Sequence, residues 1–564
     1  MQTKPKDSSE IVRNIWDIHT AKHLIFLVLI IWAAHYFTFR SFGLYEDDYT
    51  YISPALGWRL SDVLYNMIRV SLTGSQGRPL GYFLSLFLAF VGAKLGGLQA
   101  IYLLGFLIHV FNACLFYVVL RKVSSETVAV IGALSFGLFP ADTTHIFLMH
   151  AFGLHTSLTF LLLAGLCYIS GYRTLSYFVI VGSLLTYESP YLVFLAIPLL
   201  NRNWDSKLAR EIIRHVAILS GIILMVVLIR FCAGESRILT VGASAFRLAI
   251  ISAKIEAAMV IGPVVSMAAF AYGPAWVLCH WNRDLTIVFA GCIIPFLWIA
   301  GQLNSQTKIT TILPFSKLVP TAAIMLCLAY GFSFTHFPPI ALYGRLTSVH
   351  LAAAFGGSLL FACVCSMMLS AVHAYHWRIF VRTVLALYLS LLVTYRFSIQ
   401  QDFKQAWQNE RIFWTSAIGN LPDMTDGTVI FVSDQNLPAT HFIRSNSWAD
   451  PLVLMQIIQF PKEWKNQPRL FVVHDDWAKR LIREGNQVKW QVPAARVPSH
   501  WEILPNKNVI LLEMENGKLV RKFGSIVVDG QPLELRQRSA NGPFAHPVLR
   551  REEMREIFAL PASS

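Results

Sequence analysis

The chain has 564 residues, 55% of them hydrophobic and only 14% charged. With a mean hydropathy of +0.51, that balance excludes an ordinary soluble enzyme, a disordered chain and a small disulfide scaffold. Of the net charge of +14, residues 397–564 contribute little, with 20 Lys+Arg against 18 Asp+Glu, and the first 396 residues contribute +12, with 27 basic against 15 acidic. A basic excess scattered between apolar runs is a positive-inside pattern rather than a nucleic-acid surface, and no Lys/Arg stripe with interleaved aromatics accompanies it in a soluble segment.

Residues 1–23 are polar and read as a cytoplasmic N-terminus. The apolar run Leu24 to Phe39 reads as an uncleaved signal anchor, because no small-residue cleavage site follows it. Residues 40–78 form a long polar and aromatic first outer loop, within which 58–72 has the pattern of an amphipathic helix lying on the membrane. Pro79 to Ala93 is short for a crossing and reads as re-entrant or interfacial, whereas Leu98 to Leu120 is a full span closed by Arg121-Lys122. Thr127 to Pro140 and Phe147 to Tyr172 meet at a polar corner, Ala141-Asp142-Thr143-Thr144-His145. Leu175 to Leu200 is broken at Tyr187-Glu188-Ser189-Pro190. Arg202, Lys207, Arg210 and Arg214 then give the strongest cytoplasmic signal in the chain.

Further apolar segments cover 216–231, 257–279, 285–301, 319–334, 351–371 and 379–395. Arg237, Arg247 and Lys254 leave the parity of 232–318 open, so the expected count is roughly 11–13 spans. His373, His376, Arg378 and Arg382 read as a cytoplasmic turn before the last span, which puts 397–564 on the outside. That tail has strand-like runs at Gly427 to Val432, Leu470 to His474 and Asn508 to Met514 between Asn, Asp, Gly and Pro clusters. The expected fold is therefore an α-helical polytopic membrane domain over 24–396, followed by a small extracytoplasmic α/β domain over 397–564. All eight cysteines precede residue 366 without metal-ligand spacing and read as small buried hydrophobes.

The most informative segment is Tyr45-Glu46-Asp47-Asp48-Tyr49-Thr50-Tyr51. Three adjacent carboxylates flanked by aromatics beside a membrane are expensive to desolvate, and burial or mutual repulsion suits one of them to general-base work. The competing reading is a solvated acidic loop. Asp142 is a second acidic candidate at a span corner, with His145 a turn away; its competing reading is a helix cap. Glu188 interrupts an apolar stretch, where an ionisable group is a functional hypothesis by default. Arg78, in Gly77-Arg78-Pro79-Leu80, and Arg345, in Tyr343-Gly344-Arg345-Leu346 after His336-Phe337-Pro338-Pro339, can each bind phosphate or anchor a span end. His109, His150 and His155 read as packed or hydrogen-bonded groups, and Asp475-Asp476-Trp477 as surface.

The acidic pair after an N-terminal anchor, the long first outer loop and the Gly77-Arg78-Pro79-Leu80 opening together resemble the GT-C superfamily of membrane glycosyltransferases. Its protein O-mannosyltransferase and lipid A aminoarabinose-transferase branches, and related bacterial families of unknown acceptor, share this opening. The resemblance covers roughly residues 20–200, and 335–400 more loosely. It implies a sugar moved from a polyprenyl-phosphate donor to a lipid, glycan or protein acceptor on the outer, periplasmic face of a bacterial inner membrane. Its first-loop acidic motif falls on Asp47-Asp48, where many members have Asp-Glu, so Asp47 or Asp48 would be the base, with Asp47 the first choice. Its second acidic position falls on Asp142. Arg345, and Arg78 after it, would hold the leaving phosphate, and Tyr49 and His145 would line the substrate site. Glu188 would line the acceptor cavity, bind a metal or pair with an Arg, against the plain reading of a charge at a short interhelical turn. The acidic Glu188 departs from relatives with a basic residue there. A divalent metal beside Asp47, Asp48 and Asp142 is compatible with carboxylate chemistry, and the superfamily divides on that need. The alternatives are a lipid-linked glycan transporter or flippase, a polysaccharide polymerase or ligase, and a scaffold built on a decayed enzyme fold.

Overall fold

The computed structural model describes residues 18–73, 77–201, 204–232, 245–303, 313–333, 337–433, 450–473, 481–484, 487–492, 500–504, 507–528 and 531–538. Among them, eight helices are long and apolar enough to cross a membrane: Thr20–Ser41, Pro79–Val123, Leu148–Ile169, Ser206–Cys232, Phe246–Cys279, Arg283–Gln302, Ala353–Ala371 and Tyr375–Gly419. Four shorter apolar helices join them, Glu126–Gly137, Arg173–Thr186, Ser189–Leu200 and Phe315–Leu328. This is a helical membrane-type chain with a strand-bearing C-terminal region.

Local chemistry sets several helix starts. Ser125 accepts from the Val128 N–H ahead of Glu126–Gly137, and Asn282 accepts from the Leu285 N–H ahead of Arg283–Gln302. Pro79 occupies a first-turn position whose missing N–H would have no partner in any case. The segments expected as a short 79–93 and a full 98–120 are two helices within Pro79–Val123, interrupted where Gly96 and Gly97 leave the helical conformation. Gly97 has φ 65° and ψ −151°, a conformation closed to residues with a Cβ. The expected surface helix over 58–72 is Leu60–Thr73; Val63 and Met67 are buried, while Leu60, Leu64 and Ile68 form an exposed apolar stripe.

Contacts divide the chain into two units. The first comprises 1–39, 64–88 and 99–401. In it, Arg173–Thr186 packs on Leu154–Ile169, and Ala353–Ala371 packs on both Phe315–Leu328 and Glu126–Gly137. Gly356 lets two of these backbones approach closely: a Cβ there would lie 2.4 Å from the Leu326 backbone nitrogen. Phe116 stacks on Phe136 and meets Phe355 edge-on, which fills the space between these helices.

The second unit comprises 40–63, 89–98 and 402–564. Its main sheet has the order β2-β1-β6-β7, with β1 (Val429–Ser433) parallel to β2 (Arg469–Val473) and to β6 (Val509–Glu515), and β7 (Lys518–Lys522) antiparallel to β6. All five residues of β1 are buried, as expected of a central parallel strand. A second sheet, β3-β4-β5 (Leu481–Glu484, Gln487–Val492 and His500–Ile503), is antiparallel. Phe431 and Phe471 both pack edge-on against Trp490 of β4. Arg521 and Asp423 form a buried bidentate ion pair in this unit. The three strand-like runs read from the sequence are the three strands of the parallel core. The helix Tyr375–Gly419 runs on past residue 397, and the change of unit falls at Gln401/Asp402.

Candidate functional site

The first-loop acidic segment belongs to the second unit, where it is tightly held. Tyr45, Asp48 and Tyr49 are buried, and Asp47 is half-buried. Asp48 Oδ2 accepts from the Tyr45 N–H at 3.3 Å while the Asp48 N–H donates back to the Tyr45 carbonyl at 2.9 Å, a reciprocal lock on the turn. Glu46, inside that lock, has φ 45°, a strained conformation for a residue with a side chain. The Tyr45 hydroxyl donates to the Phe403 carbonyl at 2.8 Å, and the Tyr49 hydroxyl to Glu410 Oε2 at 2.5 Å. Burial first, and then the Glu410 charge, push the Tyr49 hydroxyl well above its ordinary range, so it remains a donor. Gly43 lies so close to the Trp407 ring that a Cβ would overlap it. Of the two readings of this segment, carboxylates buried among aromatics or a solvated loop, the packing along residues 403–410 matches the first, and Glu410 is a further buried carboxylate beside it.

In the first unit, the corner 141–145 is a built polar site. Asp142 is buried; its Oδ1 accepts from the Thr144 N–H at 2.9 Å and from Thr144 Oγ1 at 2.7 Å. The following helix starts at Leu148 with Phe147 at its cap position, so Asp142 fixes the turn rather than capping that helix. The Asp142 carbonyl accepts from buried Arg396 at 2.5 Å. Thr143 ties this corner to the turn that begins at Arg345. Its N–H donates to Thr347 Oγ1 at 3.0 Å, and its hydroxyl donates to the Gly344 carbonyl at 3.3 Å. His350 braces the same turn through the Ala341 carbonyl at 2.9 Å and the Tyr330 hydroxyl at 2.6 Å. The geometry thus joins the Asp142 corner, His145 and the Arg345 turn.

Besides His350, the histidines His35, His109, His145 and His155 are buried and cluster beside this corner. His35 Nε2 donates to the Gly137 carbonyl at 2.7 Å, and His35 Nδ1 meets His145 Nε2 at 2.5 Å. A carbonyl only accepts, so a neutral His35 has its lone pair on Nδ1 and His145 donates from Nε2. The His145 lone pair then sits on Nδ1, which has no hydrogen-bond partner among the described residues. The His109 ring lies 4.7 Å from that of His35 and 5.3 Å from that of His155, centroid to centroid. His155 Nε2 is 3.9 Å from Asp142 Oδ2. Burial lowers the His145 pKa well below its ordinary value, and the neighbouring His35 and Arg396 add to the effect. From the sequence, His109 and His155 read as packed groups, and His35 and Arg396 carry only the weak signal of an ionisable side chain inside an apolar run.

Arg78 and Glu188 form a pair of their own in the first unit. Arg78 Nε and Nη2 donate to the two Glu188 oxygens at 2.9 and 2.8 Å, and the guanidinium lies over the Tyr187 ring at 3.9 Å. Burial alone would raise the Glu188 carboxyl, but the Arg78 charge and hydrogen bonds outweigh it and hold the group at about 2. A bidentate guanidinium–carboxylate pair is a strong structural link. It leaves the phosphate role proposed for Arg78 in competition with Glu188.

Among the described residues, no group of three or more His, Cys, Asp or Glu is arranged to hold a metal ion. Of the carboxylates considered for a divalent cation, Asp47 and Asp48 belong to the second unit and Asp142 to the first. The eight cysteines are free thiols. Arg202, Arg237, His336 and Asp475-Asp476-Trp477 lie outside the described residues. Compared with known proteins, the chain matches no family profile and no curated protein.

Proposed function

We propose that the chain is a membrane glycosyltransferase that uses a polyprenyl-phosphate sugar as donor. The observation that carries the reading is the Thr143 lock, which couples a buried, hydrogen-bonded aspartate to the turn beginning at Arg345. Group transfer from a lipid phosphate needs a base for the acceptor and a cation for the leaving phosphate. In this proposal Asp47 takes the proton from the acceptor hydroxyl, and Asp48 holds the turn that presents it. The acceptor oxygen attacks the anomeric carbon as the bond from that carbon to the phosphate oxygen breaks, with inversion. The electron pair leaves on the lipid phosphate, and Arg345 stabilises that charge. Asp142 and Arg396 fix the corner that supports the Arg345 turn. The acceptor, whether lipid, glycan or protein, and the periplasmic face of a bacterial inner membrane belong to the same proposal.

The test is release of polyprenyl phosphate by the purified protein from radiolabelled polyprenyl-phosphate sugars. Asp47→Asn is expected to lower turnover by roughly 100- to 10,000-fold, the range of a lost general base. Arg345→Ala is expected to lower it by a similar order, while unfolding temperatures stay unchanged. One observation favours a second reading, a transporter of lipid-linked glycans: His35, His109 and His155 are ionisable groups buried within candidate spans. Lipid-sugar movement across proteoliposomes without phosphate release, and indifferent to Asp47→Asn, would move the assignment there.

A further inference from the structure

A cavity of about 580 Å³ opens between the helices Leu154–Ile169, Arg173–Thr186 and Ser206–Cys232. Its lining contains four cations, Arg173, Lys207, Arg210 and Arg214, and one carboxylate, Glu211, for a net charge of +3. Glu211 is already engaged: its Oε1 accepts from Arg173 Nη2 and from the Tyr168 hydroxyl, each at 2.6 Å. That leaves Lys207, Arg210 and Arg214 without a carboxylate partner among the described residues.

The order of these groups along the helix is informative. Lys207, Arg210, Arg214, Ile218, Ile222 and Met225 recur every three or four residues, so they share one helix face. The first three put positive charge over roughly 10 Å at one end, and the last three continue as an apolar track for roughly another 10 Å at 1.5 Å per residue. Phe178 and Val181 of the neighbouring helix form the apolar side of the same cavity. The walls are braced: His215 bridges the Tyr177 hydroxyl at 2.9 Å and the Phe194 carbonyl at 3.0 Å, which ties three elements together behind the cavity.

From this arrangement we infer that the cavity is a binding site for an anionic phospholipid, its phosphate held by Lys207, Arg210 and Arg214 and an acyl chain lying along Ile218, Ile222 and Met225. A free phosphate would satisfy only the charged end. A zwitterionic lipid would satisfy the apolar track but bring its own cation against three others. Basic pockets between membrane helices on the positively flanked side recognise anionic headgroups by this chemistry, at roughly a fivefold gain in affinity per basic residue.

Native mass spectrometry of the full-length protein in mild detergent tests the inference, with phosphatidylglycerol and phosphatidylcholine as probes and inorganic phosphate as competitor. The wild type is expected to retain phosphatidylglycerol in preference to phosphatidylcholine. The Lys207→Ala/Arg210→Ala/Arg214→Ala variant should weaken that retention on the order of a hundredfold, down to the phosphatidylcholine level. Ile218→Trp/Ile222→Trp fills the apolar track, leaves every charge in place and should also abolish retention. Unfolding temperatures check that both variants are intact. Equal retention of the two lipids, or retention unchanged in the triple variant, would overturn the site. Displacement by inorganic phosphate, with the tryptophan variant still binding phosphatidylglycerol, would overturn the lipid and leave a bare anion site.

Discussion

Arg78 shows how a single residue's partners redirect a functional reading. From the sequence it is a cation at the mouth of an apolar helix, as suited to phosphate as Arg345. In the fold it carries a bidentate bond to Glu188 and lies over Tyr187. Both side chains are mostly buried, so removing one leaves the other charged and uncompensated. Arg78→Ala is therefore expected to destabilise the protein by about 3 kcal/mol, and adding Glu188→Gln should recover much of that loss. Thermal unfolding of the two single variants and the double variant measures the coupling. If the pair is only structural, the double variant keeps its turnover; if Arg78 also holds substrate phosphate, turnover stays low although stability returns. His145 makes the complementary case. Its tautomer follows from a carbonyl two groups away, Gly137 acting through His35, which no sequence spacing reveals.

Helices and strands were legible where they are apolar and local. The three parallel-core strands, the break before Glu188 and the surface helix Leu60–Thr73 all follow from periodicity and turn residues. The interruption at Gly96-Gly97 was legible as the gap between two apolar segments, because glycine marks a break; whether the chain turns or only kinks there is not specified by the glycines. The polar lining at Asp142 was legible in part: Asp142 and His145 stand in a polar corner, whereas His35 and Arg396 come from chain stretches more than 100 and 250 residues away. Two expectations belong to elements. At Gly356 a methyl group would meet the Leu326 nitrogen at 2.4 Å and the Ala322 carbonyl oxygen at 2.8 Å, both of them helix backbone atoms. Gly356→Ala should cost about 1–3 kcal/mol through overpacking, read as a lower unfolding temperature. The Arg345 turn should respond to pH through His350. Burial holds that imidazole at about 4 against an ordinary 6.5, and the pulls of the Ala341 carbonyl and Asp142 only partly oppose it. Because the folded value is depressed, its contribution is intact above pH 6.5 and is lost as pH falls toward 4, on the order of 3 kcal/mol in all. The opening free energy at 341–350, taken from hydrogen exchange corrected for the intrinsic pH dependence of amide exchange, should fall across that window in the wild type, and a constant opening free energy would rule the mechanism out.

At the scale of the whole molecule, the charge count separated a basic apolar part from a nearly neutral tail, but it could not show that the tail's unit recruits residues from the first loop. Hydropathy places 40–63 near the N-terminal anchor because they follow it in sequence. Packing places them with 402–564, because Tyr45 and Tyr49 find their partners at Phe403 and Glu410 and Gly43 leaves room only for Trp407. Contacts more than 350 residues apart form only when the unit folds as a whole, so residues 45–51 and 403–410 should open together. Tyr49→Phe tests this with a single oxygen atom. It removes the donor to a buried carboxylate and should destabilise the unit by about 1–3 kcal/mol. Hydrogen exchange is expected to quicken in both stretches by the same factor. Faster exchange confined to 45–51 would mean that the acidic turn opens independently of 403–410, and that Asp47 and Asp48 are held by their own turn alone.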